Sequence, residues 1–138
     1  MRVQFEVDRQ GFMIRLKLTG IPKIAEFMSY ADAIHSQAGF EKGMRVLIDG
    51  RRLAILPRDE ELAALGRAYG HLRSAGIVGN TAIILASDQG QLAAHVFKAA
   101  SGTGEPVVMA FRTTEAALDW IENPQQAATA KTTSKAIA

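Results

Sequence analysis

The sequence contains no cysteine. That excludes a disulfide framework, a thiolate zinc site and a cysteine nucleophile, and it fits a reducing cytoplasm, where the domain is expected to reside. No window reaches 18 uninterrupted apolar residues, and the opening MRVQFEVDRQG alternates in polarity instead of building an apolar signal segment. Neither export nor a membrane span is expected. Charge of one sign is also missing from the body of the chain. The pI of about 9.2 suggests a nucleic-acid binder at first sight. However, the +2 excess of 16 basic over 14 acidic residues comes wholly from Lys131 and Lys135, near the C-terminus. Everything before them is balanced, whereas a nucleic-acid partner calls for a clustered basic face.

What is present suffices for one domain. The chain has 138 residues with 48% hydrophobic content, enough for a core without staples. Val3, Phe5 and Val7 alternate with Gln4 and Glu6, and Phe12, Ile14, Leu16 and Leu18 are separated by Met13, Arg15 and Lys17. This is the period of two that marks strands. Between them DRQG, with Asp8 first and Gly11 fourth, has the signature of a type I turn and predicts a hairpin.

After Gly20, Pro22 suits the first turn of a helix whose apolar stripe is Ile24, Phe27, Met28, Ala31 and Ile34, ending by Gly39. MRVLI (44 to 48) reads as a short strand buried on both faces. A second helix is expected from an Asp59 cap, with Leu62, Leu65, Tyr69 and Leu72 inward. TAIILA (81 to 86) and PVVMAF (106 to 111) are the last two strands. A helix capped by Ser87 or Asp88, with Leu92, Ala93, Val96, Phe97 and Ala100 inward, follows the first of them; a helix capped by Thr113, with Ala117, Leu118 and Ile121 inward and Trp120 flanking, follows the second. The order ββαβαβαβα predicts an α/β domain over 1–123. Its mixed five-stranded sheet has the first strand antiparallel at an edge and helices on both faces. Residues 124–138, poor in large apolar side chains, are expected to be a disordered tail.

In open α/β sheets ligands gather beyond the carboxyl ends of the parallel strands. Those ends nominate Asp49, Gly50, Arg51 and Arg52, then Ser87 and Asp88, then Arg112 and Thr113, with Arg58 near enough to join them. Two readings of Asp49-Gly50-Arg51-Arg52 stay open. Guanidinium groups grip phosphate or carboxylate bidentately, and a glycine lets backbone approach closely. Alternatively Asp49 caps local amides, Gly50 supplies a turn and the arginines are solvated, the reading favoured because Asp-Gly is a common turn dipeptide. ASGTGEP (100 to 106) and IVGN (77 to 80) read as helix stops and connectors, because a phosphate loop belongs between a strand and a following helix. His35, His71 and His95 fall on three different helices with no ligand spacing. Ser87 beside Asp88 reads as a cap and not a nucleophile, since no G-x-S-x-G elbow surrounds it.

The element order, the LIDGR segment with its strand-terminal Asp49, and the closing FRTTEAALDWIE together resemble the SpoIIAA-like proteins of the STAS and Sec14-related α/β group. The resemblance covers about residues 1 to 123. It implies a bacterial, non-enzymatic domain without a cofactor, one that acts by binding another protein, as the anti-sigma-factor antagonists do, or a lipid or small anionic ligand, as the Sec14-related branch does. In the antagonists a serine at the next helix start is the phosphorylation switch. Here 49 to 59 holds no Ser or Thr, so that switch is not implied. A protein partner through 49 to 58 and the second helix is the first expectation; a ligand in an apolar pocket, its acidic head on Arg51, Arg52 or Arg112, is the second. Homodimerisation through an edge strand or exposed helix is a further expectation for so small a domain.

Overall fold

The computed structural model describes residues 2–123, so the predicted tail at 124–138 lies outside the described residues. Strands β1 (Arg2–Asp8) and β2 (Met13–Gly20) form the predicted antiparallel hairpin, Phe5 opposite Leu16 and Val7 opposite Ile14. The turn falls one residue later than the DRQG signature suggests. The Asp8 carboxylate accepts the Gly11 amide at 3.0 Å, and the backbone bond runs from Phe12 N–H to the Arg9 carbonyl at 3.2 Å. Asp8 thus closes the first bend with its side chain. The left-handed residue is Phe12, with φ 51°, and not a glycine. Phe12 therefore leaves the inner face, while Met13, read as an outward residue, is buried on the opposite side of the sheet.

The remaining elements are α1 (Ile24–His35), β3 (Met44–Leu53), α2 (Asp59–Ser74), β4 (Val78–Ile84), α3 (Asp88–Ala100), β5 (Val108–Phe111) and α4 (Thr114–Glu122). The sheet order is β1-β2-β3-β4-β5, antiparallel only at β1 and parallel elsewhere. This is the mixed sheet with an antiparallel edge that right-handed crossovers predict. Several boundaries move. Helix α1 starts only after Pro22, with Lys23 as its cap residue. Helix α2 is capped at Arg58, one residue before the expected Asp59. The segment at 77–80, read as a connector, contributes the start of β4, where the Asn80 side-chain carbonyl accepts the Val107 amide at 2.8 Å.

The helices divide unequally between the two faces. On one face α4 stands alone, packing Ala117, Trp120 and Ile121 onto Met13, Leu47, Ala82 and Ile84. Trp120, expected to flank, is buried with its ring 5.5 Å from Phe111. On the other face lie α1, α2 and α3, over the side chains of Ile14, Val46, Val78 and Ile83. Helices α2 and α3 approach closely because α2 presents glycine there: a Cβ on Gly66 would sit 2.5 Å from the Phe97 carbonyl oxygen, and one on Gly70 2.6 Å from that of Ser101. Leu92, placed on the inner stripe of α3 by its spacing, is 64% exposed, and Gly90, Ala93 and Ala94 take the buried side instead.

Candidate functional site

Strand β3 does not end at Ile48. Its backbone continues through Asp49, Gly50, Arg51 and Arg52 to Leu53, with Arg52 paired to Thr19 and Leu53 to Gly20. The segment expected to be a turn or loop is thus a strand tail paired along β2, with a register shift between the Lys17–Asp49 and Thr19–Arg52 pairs. Alternation then decides where each side chain goes. Val46, Ile48 and Gly50 face the three-helix side, and Leu47 faces the α4 side, as does Asp49, whose strand partner is Ile84. Gly50 has no positive φ, so its role as a turn residue is corrected. It lies on the floor beneath α1–α3, where a Cβ would come within 2.8 Å of the Leu85 side chain.

The Asp49 carboxylate is already occupied. It accepts Arg51 Nε at 2.9 Å, Arg51 Nη2 at 2.8 Å and the Arg51 backbone amide at 3.1 Å. These hydrogen bonds hold its carboxyl below the ordinary value of 3.8 in spite of partial burial, which acts in the opposite direction. Arg51 is correspondingly held more firmly protonated by the same contact. A guanidinium engaged bidentately by its own neighbour is poorly placed to grip a second anion.

Arg58 behaves likewise. Glu61 accepts both its backbone amide and its Nε at 3.1 Å, a helix-capping arrangement that lowers the Glu61 pKa through the backbone bond first. Arg52 is exposed, with no ion pair among the described residues.

The other two strand ends do come together. Arg112 donates to the Ala86 carbonyl at 2.9 Å and to Asp88 at 2.6 Å, and Gln91 Nε2 donates to the carbonyls of Leu85 and Phe111 at 2.7 and 3.0 Å. Ser87 and Thr113 accept the Gly90 and Ala116 amides at 2.9 and 3.2 Å, the two caps read from the sequence. Among the described residues no ion pair joins the Asp49–Arg51, Arg58–Glu61 and Asp88–Arg112 groups. Nor does any group of three His, Asp or Glu residues suited to a metal ion occur there.

The concave feature lies elsewhere, between the sheet and α1–α3. It is an apolar hollow of about 260 Å³, partly open to solvent beside α1, floored by Ile14, Leu16 and Ile48 and walled by Phe27, Leu65 and Tyr69, among others. Its polar wall residues are few: Tyr30, Asp32 and His35 from α1, and Tyr69, whose hydroxyl is hydrogen-bonded to Thr81. Burial drives the Tyr69 pKa upward. The arginines nominated as head-group ligands, Arg51, Arg52 and Arg112, are not among the residues lining it. The apolar stripes of α1 and α2 are visible in the sequence, but the space left between them is not.

Sequence reasoning also passes over Arg73, in the last turn of α2. It is 5% exposed, and its guanidinium donates to the carbonyls of Ser101, Thr103, Gly104 and Pro106 at 2.7 to 3.2 Å. The glycine-containing connector 101–106 is wrapped around this one cation. That accounts for its two glycines at positive φ, Gly102 and Gly104, without a nucleotide.

Fold and cavity together define a SpoIIAA-like α/β domain with an apolar hollow beneath three helices. Among solved structures the chain is similar to that of an uncharacterized protein from the DUF3478 family with a SpoIIAA-like fold, from Shewanella loihica PV-4; the TM-score is 0.56 at 19% identity, over 87% of this chain and 92% of that one. The SpoIIAA-like fold implied by the sequence resemblance is the fold the chain adopts. Comparison with protein-family models and with curated proteins gives no match. No helix among the described residues is long and apolar enough to cross a membrane.

Proposed function

We propose that this domain binds a small apolar ligand in the cavity between its sheet and α1–α3. The observation that carries the reading is the cavity itself: about 260 Å³ of apolar-walled space kept open in a small domain. Interiors otherwise close such voids, because each unfilled volume forfeits packing energy. Sites for small molecules are hollows of this kind, mostly apolar with a few polar groups. On this reading the domain binds without transforming its ligand.

The test is a titration of ¹⁵N-labelled protein with indole and 1-octanol. Shifts are expected at amides of Leu16, Ile48 and Ala31 and not at those of α4. Shifts that are absent, or equal on both faces, would overturn the reading.

A protein-contact role is a second reading, favoured by one specific observation. The Ala54 amide donates to the Gly20 carbonyl at 2.8 Å, which joins the carboxyl ends of β2 and β3, and just beyond them Ile21 and Ile55 are 56% and 57% exposed. Two bare isoleucines, Ile55 within the 49–58 region and Ile21 at the neighbouring strand end, suit an apolar contact on a partner. Ile55→Asp should then abolish co-purification of any protein captured from native lysate. Unchanged capture by that variant counts against the reading.

A further inference from the structure

The cavity restricts its ligand in both size and charge. A protein cavity of about 150 Å³ walled by aliphatic and aromatic side chains holds a benzene, six carbon atoms. By that scale the 260 Å³ here holds roughly ten non-hydrogen atoms. A two-chain lipid is several times larger than this space, so most of its hydrocarbon would stay in water.

Charge narrows the choice further. Among the described residues no lysine or arginine lines the cavity, and the one acidic residue on its wall, Asp32, is exposed to solvent. The Asp49 carboxylate occupies Arg51, and Arg112 is turned to Asp88 and the Ala86 carbonyl. A carboxylate or phosphate carried into this space would lose its water without gaining a cation, and an ammonium would meet only a carboxylate that stays in water at the rim; both are unfavourable. A hydroxyl or carbonyl end needs only one hydrogen-bond partner, and α1 brings three polar side chains to the wall.

We infer that the ligand is an uncharged compact molecule of about ten non-hydrogen atoms, an alcohol, aldehyde, ketone or small arene, and not an anionic or two-chain lipid. This rests on the reading of the cavity as the binding site, and the two can fail separately.

The experiment is calorimetric titration of the full chain with straight-chain alcohols of six to sixteen carbons, and with the carboxylates and amines of equal length, at neutral pH and below micellar concentrations. Affinity should rise with each carbon up to about ten and then level off. At equal length the alcohol should bind at least tenfold more tightly than the carboxylate or the amine.

Affinity still climbing at fourteen to sixteen carbons overturns the size limit, and a carboxylate or amine equal to or tighter than the alcohol overturns the charge limit; either result leaves the cavity as the site. No binding by any member of the series overturns the cavity reading as well. Ala31→Leu, a cavity-lining change that helix α1 tolerates, should move the levelling point down by about three carbons, one for each atom added. A levelling point that stays in place in a variant that still binds would show that the length limit is not set by this space.

Discussion

The two faces of the sheet are built from the same kinds of residue and reach different densities. Under α4, Met13, Ile84, Ala117 and Ile121 are at most 1% exposed, and the helix seats its stripe directly on three strands. Under α1, α2 and α3 the strands carry equally apolar side chains, Ile14, Leu16, Val46 and Ile48, yet a hollow of about 260 Å³ remains. Helix α1 accounts for much of this. It has no side-chain cap at its N-terminus, and Ile34 alone among its residues is buried. One helix against a sheet can settle until its stripe is filled. Three helices cannot all settle when α2 and α3 are already locked together through Gly66 and Gly70, so the space appears under the third. A dry core and a binding cavity thus differ here in how many elements compete for one surface, and not in composition.

The largest expected effect comes from making the same truncation on both faces. Leu47→Ala removes a buried side chain from the α4 core and should lower stability by about 2 to 5 kcal/mol, the usual range for a filled site that cannot collapse. Leu16→Ala, on the half-buried floor of the cavity, should cost less than half as much, since it enlarges a space that already exists. Urea denaturation of the two variants measures the difference. Equal losses would mean that the three-helix face packs as tightly as the other.

Additions should reverse the order. Ala117 is fully buried beneath α4, so Ala117→Leu overpacks and should cost about 1 to 3 kcal/mol. Ala68 lines the cavity from α2, and Ala68→Leu adds a good helix former beside empty space. It should be neutral or raise the melting temperature while weakening binding of an eight-carbon alcohol about fourfold, one buried methylene, as the levelling point falls to about seven carbons. A stabilised Ala68→Leu that binds as well as the unsubstituted chain would separate the hollow from the ligand site.

Why the sequence shows one face and not the other follows from where the information lies. Strands β1 and β2 are legible because their alternation is a local property, and the Ser87 and Thr113 caps are legible because a cap and its amide lie three residues apart. The tail of β3 is not. Asp49-Gly50-Arg51-Arg52 has the local chemistry of a turn, and its extended form comes from pairing with Lys17–Gly20, which no short window contains. Arg73 is hidden for the same reason. Its carbonyl partners are 28 to 33 residues away and are backbone groups, with no side-chain type to mark them. The cavity is the extreme case, since it is a misfit among elements each of which is ordinary. Both the nominated strand-end charges and the sheet that carries them can be read in advance; that all of these charges but Arg52 are taken up in local ion pairs while the opening lies beneath α1 requires the packing.

The smallest effect tests whether Asp49 belongs to structure or to binding. Its carboxyl is held below 3.8 chiefly by the hydrogen bonds from Arg51. A carboxylate whose pKa is lower in the folded than in the unfolded state stabilises the fold above its ordinary value, and the contribution is lost as pH falls through the lower folded value. Asp49→Asn should therefore cost under about 1 kcal/mol at pH 7, given that Arg51 is partly exposed to solvent. The gap between the variant and the unsubstituted chain should shrink only below about pH 4. Binding of the eight-carbon alcohol should be unchanged at pH 7, because alternation along β3 puts Asp49 on the α4 side while Ile48 and Gly50 floor the cavity. If Asp49→Asn instead abolishes that binding in a folded protein, the separation of the two faces fails, and the strand-end charges regain the role their position in the sequence first suggests.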